Sequence, residues 1–162
     1  TPICFTDQVM GEQCCCLSSS CGDFVVKRAD GLFAYQLAVV VDDAEQAVNQ
    51  VVRGSDLLSS TPRQIHLQRL LGYPSPAYAH LPLVTGPDGG KLSKRDNAVS
   101  IVAGLDIQKA GGALLTLALN FLGQSPPVTL GQSSVSEVLA WAVENFEIST
   151  VPRNYGPLNP AL

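Results

Sequence analysis

The chain has 162 residues, enough for one ordinary domain or for one domain piece with a small appendage. Hydrophobic residues make up 46% and charged residues 15%, which predicts a packed core and excludes wholesale disorder; a net charge of −4 excludes a protein that coats nucleic acid by neutralising many phosphates. The longest nearly uncharged apolar stretch, residues 110–122, is too short to cross a bilayer and no signal-like segment opens the chain, so it reads as soluble and cytoplasmic, with no membrane partner.

Thr1 leads straight into Pro2-Ile3-Cys4-Phe5, and the chain reads as one that begins within a longer protein. Residues 11–22 form a Cys/Ser-rich stretch without periodicity, expected as a loop; residues 1–22 are set apart as a variable region. Four of the five cysteines are Cys14, Cys15, Cys16 and Cys21. Zinc asks for spaced pairs, because adjacent cysteines point in divergent directions, so the expectation is no metal and a loop of reduced thiols.

Two β-rich runs follow, residues 24–28 and 33–41, joined by Ala29-Asp30-Gly31, and they read as a hairpin. Asp42 and Asp43 close the second run, as substrate-facing carboxylates or as turn formers. A further strand is expected over residues 48–53, ended by Gly54. Thr61-Pro62 and Gly72 punctuate a helix, with Thr61 as its cap and Gly72 as its stop. A strand is expected over residues 79–84. His66 and His80 lie fourteen apart without a carboxylate pattern and are expected on a helix surface and at a strand end.

This strand, helix, strand order is a βαβ-type unit and predicts an α/β fold, with Gly86-Pro87-Asp88-Gly89-Gly90-Lys91-Leu92-Ser93-Lys94-Arg95 at the carboxyl end of a strand, where open α/β sheets bind ligands. Lysines on a glycine-rich turn suit the steadying of a triphosphate while its α-phosphate is attacked, since their ammonium groups offset charge on departing pyrophosphate. A solvated hairpin tip is the competing reading. The spacing is not that of a Walker A loop, because the position six after Gly86 is Leu92.

Beyond Ala98 the pattern turns helical. Asp106 is placed to cap a helix whose apolar positions Ile107, Ala110, Leu114, Leu117, Ala118, Phe121 and Leu122 recur at helical period up to Gly123. Gly111-Gly112 within it is either a cost or a close packing contact. Ser134-Val135-Ser136-Glu137 fits a capping box that opens a second helix, and the tail from Val151 is expected to be irregular. The regions are therefore 1–22, 23–103 with the cationic loop at 91–95, a helical part 104–150 and a tail 151–162.

Three blocks, taken together, are similar to the glutamyl class of class I aminoacyl-tRNA synthetases. They are Gly22-Asp23-Phe24-Val25-Val26-Lys27-Arg28 running on to Asp42-Asp43; Val51-Val52-Arg53-Gly54-Ser55-Asp56-Leu57-Leu58 with Thr61-Pro62-Arg63-Gln64; and His80-Leu81-Pro82-Leu83 leading to Lys91-Leu92-Ser93-Lys94-Arg95. The last resembles the class's KMSKS signature, with Leu92 and Arg95 in place of Met and the final Ser. Leu32-Phe33-Ala34-Tyr35-Gln36-Leu37 and Gly54-Ser55-Asp56-Leu57-Leu58 look most like a short paralogue branch that lacks an anticodon-binding domain.

The resemblance implies the second half of a Rossmann-like catalytic domain followed by a small helical region. It implies a monomeric ligase that uses ATP with Mg2+ to activate glutamate and passes the glutamyl group to queuosine of tRNA(Asp). Tyr35 and Arg53 would bind glutamate, Arg53 through a bidentate fork; Lys91 and Lys94 would act in catalysis, with Lys94 and Ser93 on ATP. The HIGH-type motif and the zinc ligands of the parent enzyme would precede Thr1, so the isolated chain is expected to be inactive. The open alternatives are a fragment of an ordinary glutamyl-tRNA synthetase charging tRNA(Glu), and a non-enzymatic RNA-binding or interaction module.

Overall fold

A computed structural model describes residues 2–85, 107–154 and 156–157. The chain divides into two compact units, residues 1–81 and 82–162.

Unit 1 is built on a four-stranded mixed sheet. Its strands are β1 (Ile3–Asp7), β2 (Gly11–Cys15), β3 (Gln50–Gly54) and β4 (Ala77–Leu81), in the order β2-β1-β4-β3. β1 and β2 form an antiparallel hairpin, whereas β4 runs parallel to both of its neighbours. Parallel strands need a crossover, and between β3 and β4 it is supplied by α3 (Thr61–Leu71). The helix stops where predicted, at Gly72, whose φ of 72° places it in the left-handed region that glycine enters without a Cβ penalty.

Register decides which side chains meet. Val51 pairs with Tyr78 and Arg53 with His80, so these four residues share one face of the sheet. Ile3, Ile65 and Tyr78 form the buried apolar cluster there, with Phe5, Leu17 and Val51 packed against it. A buried aliphatic side chain of this kind contributes about 1.5–3 kcal/mol. The same face also takes polar groups, and it is those that build the site.

Four expectations are corrected. Residues 11–22 are no loop: they contain β2 and the short helix α1 (Leu17–Ser20), and the β1–β2 register sets Cys4 opposite Cys14, whose sulfurs are bonded to each other. Cys14 is thus not a reduced thiol, and only Cys15, Cys16 and Cys21 are free among the described residues.

The run of residues 33–41 is not a strand. From Tyr35 onward it is helix α2 (Tyr35–Glu45), which packs on α3 and buries Val40, so tertiary packing overrides the β preference of Val39-Val40-Val41. The expected turn does form: Gly31 N donates to Arg28 O, Arg28 N to Leu32 O and Ala34 N to Val26 O, but the pairing ends with the single bridge Lys27 to Phe33. Thr61 is the first residue of α3 rather than its cap, following a six-residue 3-10 segment, Ser55–Ser60. The strand expected over residues 79–84 is split at Pro82, which cannot donate to a ladder, into β4 and the two-residue β5 (Val84–Thr85).

Unit 2 holds α4 (Ile107–Phe121) and α5 (Val135–Asn145), with β5 paired in parallel to β6 (Gly156–Pro157). The predicted capping box is complete: Glu137 N donates to Ser134 Oγ at 3.3 Å and Ser134 N to Glu137 Oε2 at 2.8 Å. Gly112 is a close-approach position, because a Cβ there would lie 2.0 Å from the carbonyl oxygen of Ser133. Buried Gln124 closes the end of α4, donating from Nε2 to Glu147 O and Thr150 Oγ1 while accepting at Oε1 from Glu147 N. No helix of the described residues is long and apolar enough to cross a membrane.

Candidate active site

Arg53 lies near the carboxyl end of β3, and every atom that holds it is neutral. Its Nε donates to His80 Nε2 at 3.0 Å, and its Nη2 donates to Thr61 Oγ1 and Gln64 Oε1, both at 2.8 Å, with Leu57 O farther away at 3.5 Å. Thr61 and Gln64 stand three residues apart on α3 and therefore face the guanidinium together. The guanidinium carbon also sits 5.5 Å from the centre of the Tyr78 ring, within cation–π range. Nη1 has no hydrogen-bond partner among the described residues. Both Nη2 protons are committed to Thr61 and Gln64.

Behind Arg53 lies a fully buried acid–imidazole pair. Asp7 Oδ2 is 2.6 Å from His80 Nδ1, and Asp7 Oδ1 accepts from the backbone N–H groups of Val9, Met10 and His80. The tautomer follows from elementary chemistry. An arginine Nε only donates, so His80 Nε2 must carry the lone pair, and the ring proton must sit on Nδ1, pointing at Asp7. A protonated imidazole would set two donors face to face at 3.0 Å, so the pair is a neutral histidine on a carboxylate rather than a salt bridge.

The ionisation tendencies agree. Burial pushes the His80 pKa down, the Arg53 charge adds to that, and together they outweigh the opposing pull of Asp7. Burial alone would raise the Asp7 pKa, but donation from Met10, His80 and Val9 outweighs it and holds the carboxyl below its ordinary range.

Tyr35 opens α2 and is half exposed. It is joined to Arg53 through its neighbour: Gln64 Nε2 donates to Gln36 Oε1 at 2.9 Å, and Gln36 Nε2 donates to Ser60 Oγ at 3.0 Å. One relay of amides therefore spans the start of α2, the start of α3 and the end of β3. Asp42 and Asp43 lie in the last turns of α2; Asp43 lines a cavity of about 260 Å³ with Gln68 and Pro74, a hollow that includes neither Tyr35 nor Arg53. A second cavity, of about 400 Å³, is lined by Cys16, His66 and Arg69 and is likewise separate.

Lys91, Ser93 and Lys94 lie outside the described residues. Among those described, no three His, Cys, Asp or Glu side chains gather as a metal would require, and one cysteine pair is consumed by the Cys4–Cys14 bond, so the groups present do not fit zinc.

His80, Asp7, Gln36 and Gln64 were not singled out as site residues by the sequence. His80 does lie at the end of a strand, β4, and it is fully buried there. Its pairing with Arg53 follows from parallel register, which the βαβ pattern could have suggested. Asp7 is 73 positions away from His80 and carries no signal at all.

The mixed sheet with its helical crossover and the polar face around Arg53 agree with what comparison finds. The chain belongs to the family described as "tRNA synthetases class I (E and Q), catalytic domain", which matches residues 1–126. Within it, the chain is 65% identical to the glutamyl-Q tRNA(Asp) synthetase of Geobacter sulfurreducens, over 98% of this chain and 50% of that protein. It is 54% identical to the protein of the same name from Aromatoleum aromaticum, over 93% of this chain and 46% of that one. It thus spans about half the length of the curated relatives it matches. A glutamate tRNA ligase from Elizabethkingia meningosepticum, crystallised in complex with its amino acid, shares the fold with a TM-score of 0.75 at 24% identity, over 99% of this chain and 34% of the other.

Proposed function

We propose that this chain supplies the carboxyl-terminal half of a catalytic domain that activates glutamate and transfers it to queuosine in tRNA(Asp). The α-carboxylate oxygen of glutamate attacks the α-phosphorus of ATP, the bond to the β-phosphate oxygen breaks, and pyrophosphate leaves. A hydroxyl of the queuosine cyclopentenediol then attacks the acyl carbon, losing its proton as AMP departs. Arg53 and Tyr35 hold the amino acid, while Lys91 and Lys94, with Ser93, carry the charge of the ATP phosphates. The protein acts by positioning and by charge stabilisation.

The observation that carries this reading is the state of Arg53. Its guanidinium is fixed by His80, Thr61 and Gln64, no carboxylate pairs with it among the described residues, and Nη1 has no partner among them, which supports a role in holding an acid group. The queuosine acceptor is supported by the names of the relatives at 65% and 54% identity; the glutamate tRNA ligase is a more distant likeness, at 24%.

The test offers labelled glutamate and ATP to the full-length gene product that carries this chain. Label is expected on queuosine-containing tRNA(Asp) and on neither unmodified tRNA(Asp) nor tRNA(Glu). Label on tRNA(Glu) would transfer the chain to the ordinary glutamyl enzymes.

A further inference from the structure

We propose that Asp7 and His80 are positioning residues for Arg53: Asp7 fixes the tautomer in which His80 presents a lone pair at Nε2, and that lone pair holds Arg53 Nε–H so that Nη1 stays aimed at an anionic ligand. The inference deepens the glutamate-binding reading and rests on it only for the identity of the ligand.

Three features carry it. His80 Nε2 faces a nitrogen that cannot accept, at 3.0 Å, so only one imidazole tautomer satisfies the contact. Asp7 Oδ2 takes the other ring proton at 2.6 Å. Finally, Asp7 Oδ1 is pinned by three backbone donors, from Val9 at 3.0 Å, Met10 at 2.8 Å and His80 at 3.1 Å. The carboxylate is therefore held in place, and the side chains of Asp7 and His80 are fully buried.

The pinning makes one substitution informative. In Asp7→Asn the three backbone donors keep the amide oxygen at the Oδ1 position, which leaves the amide nitrogen facing His80 Nδ1. Two donors cannot face each other, so the ring proton moves to Nε2 and points at Arg53 Nε–H. The shape of the side chain is kept and only the direction of a hydrogen bond is reversed. The same substitution behind a catalytic histidine of the serine proteases acts through the wrong tautomer. A glutamine at position 80 has no tautomers: with Asp7 intact its amide nitrogen donates to Asp7 Oδ2 and its carbonyl accepts from Arg53 Nε–H. His80→Gln with Asp7 intact should therefore keep Arg53 Nε–H paired, whereas adding Asp7→Asn to it sets a donor on each side of the amide and brings the fault back.

Two readouts are taken on the full-length gene product. The first is NMR of the His80 ring nitrogens and of the order of Arg53 Nε–H. In the parent protein Nδ1 carries the proton and Arg53 is rigid; Asp7→Asn moves the proton to Nε2 and loosens Arg53, and His80→Gln with Asp7 intact keeps Arg53 ordered. The second is glutamate-dependent pyrophosphate exchange. Asp7→Asn should raise the KM for glutamate roughly ten- to a hundredfold, the effect of an unsatisfied buried donor, with the KM for ATP within about twofold, and His80→Gln should lose much less than Asp7→Asn.

Arg53 order and tautomer unchanged in Asp7→Asn would overturn the proposal, as would a His80→Gln variant that loosens Arg53 as much as Asp7→Asn does. If the parent protein shows no glutamate-dependent exchange while the NMR pattern holds, the glutamate reading fails and the positioning of Arg53 stands.

Discussion

Gln64 stands between Arg53 and Gln36, accepting from the guanidinium at 2.8 Å through Oε1 and donating to the Gln36 carbonyl at 2.9 Å through Nε2. A neutral amide at this place holds the cation without cancelling its charge. Gln64→Glu keeps the size and adds a counter-anion against Nη2. The expected outcome is a chain at least as stable to urea as the parent, with the KM for glutamate raised more than about tenfold, since a resident carboxylate competes with the substrate's. An unchanged KM would remove Arg53 from the glutamate site.

Arg53→Lys keeps the charge and loses the fork that binds His80, Thr61 and Gln64 together. A weakening of glutamate use by about 1.5–3 kcal/mol is expected in pyrophosphate exchange, together with a lowered urea midpoint from the buried acceptors left behind. Full activity in this variant would mean that a point charge suffices.

Stability should fall on acidification in two stages. His80 has a lowered pKa in the folded chain, so its contribution is complete above the ordinary histidine value of about 6.5 and is lost as the pH drops below it, because the unfolded chain takes up a proton that the native ring resists. Asp7 is also lowered, so its contribution persists until the carboxyl range near about pH 4 and is lost as the pH falls further. Urea midpoints measured from pH 8 to pH 5 should decline with a slope of at most about 1.4 kcal/mol per pH unit for the one proton, and His80→Gln should flatten that decline. A parent chain that gains stability over the same interval would contradict the neutral imidazole.

Gly112→Ala places a methyl carbon 2.0 Å from the backbone oxygen of Ser133, where nothing flexible can yield. The substitution should cost at least about 1–3 kcal/mol, read as a lower thermal midpoint. Gly131→Ala serves as a control, because its added carbon meets only the Thr116 methyl at 4.0 Å, and a change within about 0.5 kcal/mol is expected there.

Thiol titration of the chain before reduction should find Cys15, Cys16 and Cys21, with Cys4 and Cys14 appearing only after reductant. Cys16 should react with iodoacetamide at half its maximal rate near pH 7: hydrogen bonding from Ser18, then Ser19, brings its pKa down to about 7. Ser18→Ala should move that midpoint upward.

Much of the fold was legible where punctuation is local. Gly72 ended α3, Ser134 and Glu137 opened α5, and the Arg28 to Gly31 turn formed because each of these depends on residues a few positions apart. The misreadings came from distance. Val39-Val40-Val41 favours a strand by itself, and only packing against α3 makes it helix. β2 was hidden because its partner β1 is what gives Gly11–Cys15 a register, and the cysteines in it drew attention to chemistry instead. Tyr35 and Arg53 were singled out through resemblance, while the groups that hold Arg53 come from three other elements. Hydrogen-bond networks between buried amides and imidazoles leave no periodicity in a chain, so Gln36, Gln64 and His80 looked like ordinary polar residues.

The carboxylate of Asp7 serves two contacts of very different reach, the turn at Val9 and Met10 beside it and a strand 73 positions later. The near contact closes a loop of a few residues, the far one a loop whose entropic cost must be met by everything packed in between. During folding the acid is thus oriented by its own hairpin before its distant partner arrives. The last strand of unit 1 then docks onto an acceptor already aimed, and errors in its alignment meet a misplaced charge at the first step.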